Sequence, residues 1–322
     1  MSASSQRLPV LMLGGSGFVG TYLAAQLCRA GFRVIVPTRD RERMRGRLLT
    51  LPNVTLVQAD IHDRSVLPQL VLGCSAVINL VGILQGTPRA FARNHYELTC
   101  DVLEACRATG VTRYLHMSAL GASADGPSHY LRSKGQAEDT VRASHEQWTI
   151  FRPSVIFGEG DSFLTLFAAL QKRFPVMPLA RADAQFQPVW VKDVAAAFVQ
   201  ALLDPAYIGK TIDLAGPRVY TLSDIVRYVG VISGNPRPVW ALPDWAGRLQ
   251  ATVLGLLPNA PMSIDNFDSM SVANTSTQPF PPIAGQPPSA LEAIAPAYLS
   301  VAATRGRFAG HRARARRGNL SP

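Results

Sequence analysis

The sequence predicts a doubly wound parallel-sheet α/β fold with a smaller C-terminal substrate or docking lobe, on three observations. Six apolar runs rich in β-branched residues alternate with amphipathic stretches through the first half of the 322 residues. The first run ends in a glycine-rich loop that opens a helix. Beyond Arg152 the rhythm breaks at Pro153, Gly158 and Gly160, and shorter elements follow. With 47% hydrophobic and 17% charged residues, the chain has ample core material, which excludes disorder and a small disulfide scaffold. The expected organisation is a sheet domain over 1–155, a smaller mixed α/β lobe over 156–300 and a basic flexible tail over 301–322.

Strands are expected at 8–13, 33–37, 54–58, 76–80, 113–117 and 148–152, with helices at 18–30, 41–48, 63–71, 91–109 and 127–144 between them. Right-handed crossovers put the loops after every strand along one edge, so a ligand is expected there. In the second half a helix is expected at 162–173. Another at 193–203 places Val194, Ala197, Phe198, Ala201 and Leu202 on one face, as a helix packed on the sheet requires. The stretch 243–257 reads as a short apolar helix with Trp245, Leu249, Val253, Leu256 and Leu257 on neighbouring faces. Packing into the lobe is expected for it, ahead of a membrane or partner surface. Five prolines within 278–288 exclude helix and central strand there, and 290–295 is expected to form a last helical turn that Pro296 ends.

The formal net charge is +10, but Arg305, Arg307, Arg312, Arg314, Arg316 and Arg317 supply six of those charges and leave +4 for residues 1–300. A solvated arm with no specific partner is the first expectation, ahead of contact with anionic lipid, an acidic protein surface or nucleic acid. The body carries no nucleic-acid reading motif, which disfavours the last. No apolar run approaches the roughly 20 residues that cross a bilayer, and no leader pattern opens the chain, so a cytoplasmic protein is expected, peripheral to a membrane at most. Cys28, Cys74, Cys100 and Cys106 include no C-x-x-C pair and read as buried thiols in a reducing compartment, with no metal site.

The first strand runs into Gly14, Gly15, Ser16, Gly17, Phe18, Val19 and Gly20. Glycines in this strand-to-helix setting allow a tight turn and a close backbone approach to a pyrophosphate, which the free amides of the helix start then face. An acid at the end of the second strand bonds a ribose 2′-hydroxyl, whereas a base accommodates a 2′-phosphate. Here the strand ends in Thr38 and Arg39, which favours NADP(H) over NAD(H), with Arg43 as a second cation and Asp40 as the residue that could still meet a ribose. Asp60 and Ile61 after the third strand are expected beside the adenine. Asn79, Val81 and Gly82 after the fourth are expected along the ribose and pyrophosphate.

The fifth strand ends at Ser118, and Tyr130 and Lys134 follow at i and i+4 on a helix, where they share a face. An ammonium beside a phenol favours the phenolate, which makes a usable acid or base for carbonyl or alcohol chemistry. Ser118 could orient a substrate oxygen. Lys134 is one of only four lysines beside 28 arginines, so its presence at this spacing is informative.

The loop Gly14–Gly20, the segment 79–82, Ser118, the pair Tyr130 and Lys134, and the segment 152–158 together resemble the extended and atypical short-chain dehydrogenase/reductases, over about residues 8 to 300. The resemblance implies a Rossmann fold and an NAD(P) cofactor with Pro153 among the residues around it. It makes Tyr130 the acid/base, Lys134 the ribose-binding group that lowers its pKa, and Ser118 the orienting hydroxyl, for carbonyl/alcohol redox or epimerase-type chemistry. Segments 116–122, 130–135, 157–161 and 187–194 are most similar to the branch that holds the nucleotide-binding accessory subunit of respiratory complex I and bacterial relatives, some linked to ubiquinone metabolism. That branch implies a second expectation, a cofactor-stabilised accessory or assembly protein of a respiratory or ubiquinone-synthesis complex. Ser118 precedes Tyr130 by twelve residues, about half the spacing usual in extended members, which leaves Ser123 as a rival hydroxyl. Asn94 is the candidate for a fourth catalytic position.

Overall fold

The computed structural model describes residues 8–48, 50–144, 147–257, 260–281 and 287–300, with the side chains of Arg43, Arg45 and Arg47 outside that description. The expected basic tail at 301–322 and the middle of the proline-rich stretch also lie outside the described residues.

Strands and helices alternate from the start: β1 (Val10–Leu13), α1 (Phe18–Arg29), β2 (Val34–Thr38), α2 (Arg41–Leu48), β3 (Val54–Gln58), α3 (Leu67–Val71) and β4 (Ala76–Asn79). Then α4 (Pro88–Phe91), a π-helical turn (Ala92–Glu97) and α5 (Leu98–Thr109) run on from one another. After them come β5 (Arg113–Met117), α6 (His129–Ser144) and β6 (Gln147–Pro153). The second half holds β7 (Ile156–Phe157), α7 (Phe163–Arg173), β8 (Met177–Leu179), β9 (Gln185–Phe186), β10 (Val189–Trp190), α8 (Val191–Leu203) and β11 (Lys210–Leu214). It closes with β12 (Tyr220–Thr221), α9 (Leu222–Ile232), β13 (Val239–Ala241), α10 (Asp244–Gly255), α11 (Ile264–Ser269), α12 (Leu291–Ile294) and α13 (Pro296–Leu299).

Seven parallel strands form the main sheet in the order β11-β6-β5-β4-β1-β2-β3. Along β1, Val10 and Met12 enter one core with Leu23 and Leu27 of α1 and Val194 and Phe198 of α8. Leu11 and Leu13 enter the other, with Leu70 of α3 and Val102 and Cys106 of α5. Burial on both faces is why these strands read as unbroken apolar runs. The chain leaves β1 toward β2 on one side and reaches β4 on the other, with Leu13 level with Asn79, so the switch-point crevice opens between the loops after β1 and β4.

Two expectations change. The seventh strand, β11, comes from beyond residue 155, so the sheet draws on the stretch assigned to the second lobe, while α8 packs on the sheet beside α1 as expected. Pro296 does not end the last helical segment but starts α13 at the position where its missing N–H costs nothing. The lobe has its own core, in which Phe157, Leu164, Phe167, Ile225 and Val229 meet Tyr298 and Leu299.

Candidate active site

The glycine loop is shaped by close approach. Gly14 takes a left-handed φ of 74°, and a Cβ on Gly20 would stand 2.5 Å from the Gly15 Cα, so only glycine lets α1 start this close to the strand. Gly17 is the N-cap of α1 and provides no side-chain acceptor. The first-turn amides of Phe18, Val19 and Gly20 therefore have neither an intrahelical partner nor a side-chain cap, and half-buried Ser16 lies in the turn before them. Phe18, the first residue of α1, stands edge-on to Tyr22 at 5.8 Å. At the end of β2, Thr38 is buried and Arg39 and Asp40 are exposed. Asp60 is exposed and its carboxylate accepts from the His62 amide, while Ile61 packs on the second core.

Asn79, expected along the ribose and pyrophosphate, has its side chain buried and turned to its protein neighbours. Its amide donates to the Tyr114 hydroxyl (3.0 Å) and to Thr99 Oγ1 (3.3 Å), and its oxygen accepts from the Val81 amide. What it gives the site is the course of the backbone from Leu80 to Gly82. Val81 O, in turn, accepts from Lys134 Nζ at 3.2 Å, and Met117 O accepts from the same ammonium at 2.9 Å. An ammonium has three donors, and these contacts engage two. Lys134 is 2% exposed, and burial draws its pKa down to about 8, against the opposing pull of Glu138 one turn along α6. Glu138 is itself buried and held by Arg142 and Arg152 at 2.5 Å each.

Beside Lys134 lie polar atoms that find no protein partner. Ser118 Oγ is buried and unpartnered, as are both ring nitrogens of His116. Orphaned buried groups are costly, so a hydroxyl and an imidazole left this way at the mouth of β5 suit a polar ligand or water. The rival Ser123 is exposed and its hydroxyl accepts from the Asp125 amide, and Asn94 spends its amide on Ala90 O within its own helix. The position that does reach the site is His95, which sequence reading missed. The π-helical turn sets it inward, 1% exposed. Its Nε2 accepts from the Ile83 amide (3.0 Å), so its Nδ1 carries the proton and donates to Ser133 Oγ (2.8 Å), which donates to Tyr130 O. Burial, and then Lys134, push the His95 pKa down to about 2, so the ring is neutral. Only an extra residue in the turn betrays it, and no spacing rule reads that from sequence.

Tyr130 is half-buried, its ring edge-on to His95 at 5.5 Å and to Phe91 at 6.2 Å. Its pKa corrects the expectation of a lowered phenol: burial, then the carboxylate of Asp265, raise it to about 12. Asp265 comes from α11, 7% exposed, and accepts from the backbone amides of His129 (2.7 Å) and Tyr130 (3.2 Å) at the start of α6. The same helix donates from Asn266 to Leu84 O, and Gln85 donates to Ala260 O just before it. The 260–269 segment thus ties the loop after β4 to the start of α6. Pro153, the last residue of β6, is buried and its carbonyl accepts from the Leu120 amide. Among the described residues there is no cluster of metal-ligating side chains.

With this geometry in place, the likenesses to other proteins fit it. The pattern of the NAD dependent epimerase/dehydratase family matches residues 10–215. Over 281 residues, 83% of this chain and 69% of its relative, the sequence is 36% identical to NADH dehydrogenase [ubiquinone] 1 alpha subcomplex subunit 9, mitochondrial, of Arabidopsis thaliana. It is 30% identical over 272 residues to the ceramide reductase of Caulobacter vibrioides, covering 83% of each chain. The fold is that of the dTDP-glucose 4,6-dehydratase DesIV of Streptomyces venezuelae, solved with NAD and TYD bound, at a TM-score of 0.65, 20% identity and coverage of 74% of this chain and 86% of that one.

Proposed function

Because the chain belongs to the NAD dependent epimerase/dehydratase family, we propose that it is an NADP(H)-dependent enzyme of carbonyl/alcohol chemistry, working in the reductive direction on a substrate linked to quinone or respiratory-chain metabolism. One observation carries the reading: Tyr130, edge-on to His95, stands one helical turn before buried Lys134 on α6, and that lysine is held by the carbonyl of Met117, next to the unpartnered hydroxyl of Ser118.

The residues fit a dinucleotide. The amides of Phe18, Val19 and Gly20 would hold the pyrophosphate, Arg39 the 2′-phosphate, and the remaining donor of Lys134 a ribose hydroxyl, with Asp60 and Ile61 at the adenine and Pro153 on the nicotinamide side. When bound, the nicotinamide supplies the hydride. The chain supplies the proton. A phenol held near 12 keeps its proton at neutral pH, the form a carbonyl reduction needs, and Tyr130 gives it to the developing alkoxide while Ser118 orients that oxygen. The test is turnover with NADPH against quinones, ketones and nucleotide sugars. Tyr130→Phe is expected to lower kcat about a hundredfold or more while leaving NADPH affinity unchanged.

A second reading is a cofactor-stabilised accessory protein, with peripheral contact to a membrane or to a respiratory or quinone-synthesis assembly. The 260–269 segment, bonded to the Tyr130 backbone amide and to the loop after β4, favours it, and so does the name of the Arabidopsis relative. Tight NADPH binding without turnover, together with a Tyr130→Phe strain that behaves as wild type, would select this reading.

A further inference from the structure

Helix α10 is built inside out. Its inward face is Gly247 and Ala251, both buried, and a Cβ on Gly247 would stand 2.9 Å from Ala180 Cβ and Phe267 Cε2. Its outward face carries Trp245, Leu249 and Val253, with Leu256 and Leu257 just beyond, exposed by 73%, 58%, 55%, 82% and 52%. The spacing of i, i+4, i+8 and i+11 makes a continuous stripe, and Trp240 of β13 is exposed near its start. This overturns the expectation that 243–257 packs into the lobe. The lobe core is complete without these side chains, because α10 meets it through its small residues.

Two arginines beside the stripe are neutralised by acids, and further cations lie on the elements that lead into it. Arg248 on α10 is held by Asp268 at 2.8 Å and lies over the Phe267 ring, and Arg181 is paired with Asp244 and lies over the same ring. Lys172 and Arg173 end α7, just before β8, the strand that pairs with β13, and Arg237 precedes β13. The arginine-rich segment 301–322 follows Ser300 directly. The last helix before it, α13, shares its core with Met177 and Val239, the strand pair that leads into α10, so six further arginines lie within chain's reach of the stripe.

We propose that the outer face of α10 is a docking surface for an anionic lipid membrane. The proposal rests on the peripheral reading above and names the face that makes the contact. An apolar stripe with tryptophans at its start belongs at the level of lipid headgroups, and a single short helix binds weakly there unless cationic charge adds to it. The rim cations and the arginine-rich segment supply that charge, each worth a share of the attraction to anionic headgroups. Among the described residues of α10 the one acid, Asp244, is paired with Arg181, which argues against a basic protein partner.

The test is co-sedimentation of the full-length protein with vesicles of phosphatidylcholine, with and without about a third phosphatidylglycerol. Wild type is expected to sediment with the anionic vesicles only, with a blue shift in tryptophan emission and weaker binding as salt rises. Trp245→Ser combined with Leu256→Ser changes exposed side chains. It should lower vesicle affinity about tenfold or more, with the thermal midpoint and NADPH affinity unchanged. Replacing the six arginines of 301–322 by glutamine should weaken binding to anionic vesicles in the same way. Failure of wild type to sediment would overturn lipid docking, and co-purification with a membrane complex would still test the assembly side of the peripheral reading. Equal sedimentation of the double variant would leave the peripheral reading standing and remove α10 from it. If the double variant instead splits a dimer seen by light scattering, the face covers a second copy and the lipid proposal falls.

Discussion

Lys134 sets a pH dependence whose sign can be worked out. Its pKa is about 8 in the folded chain and about 10.4 when unfolded, so between those values the unfolded chain binds more protons. Stability of the cofactor-free protein should rise with pH through that window, by about 3 kcal/mol from this residue alone. Urea denaturation at stepped pH checks it, with Lys134→Met expected to remove the rise. Arg39→Ala should weaken NADPH about tenfold and leave NADH nearly unchanged, as nucleotide fluorescence titrations would show. At this scale the Tyr130 and Lys134 spacing was legible, because i and i+4 is a property of any helix. The direction of the Tyr130 shift was not. It depends on burial and on Asp265, 135 residues further along the chain.

Among the elements, the π-helical turn is the one that shapes the site. It makes His95 a strut between the loop after β4 and α6. His95→Phe keeps an aromatic ring but leaves the Ile83 amide without its acceptor and takes one of two partners from Ser133, at a cost of about 1–3 kcal/mol. The same change should weaken NADPH binding, since Ile83 adjoins Gly82, and the two effects can be read by denaturation and titration of one variant. Long periodic elements such as α1, β1 and α8 were plain in the sequence. Strand β11 was not, because Lys210, Thr211 and Asp213 interrupt its apolar pattern and only Leu214 is fully buried. Helix α10 was legible as a helix, but its orientation was not. Periodicity reports that apolar residues share a face, and only packing decides which face turns inward.

For the whole molecule, the dinucleotide crevice and the 260–269 segment belong to one body of coupled contacts, so filling the crevice should stabilise the entire fold. At a free NADPH concentration about 100 times its Kd, the gain is about 2.7 kcal/mol if only the native state binds. A rise in the thermal midpoint with added NADPH, larger than with NADH at equal concentration, is the expected calorimetric result. No described helix is long and apolar enough to cross a membrane.

The sheet order also fixes an order of events during synthesis. Strand β6 is complete about 60 residues before its outer partner β11 leaves the ribosome, and that partner is needed along the whole stretch from Thr149 to Pro153. Until then the nascent chain presents an open parallel edge whose Ile150 and Phe151 are fully buried once the fold is finished. Chains halted before residue 210 should therefore gather by edge pairing or depend on a chaperone. Those released after Leu214 should close that edge from within.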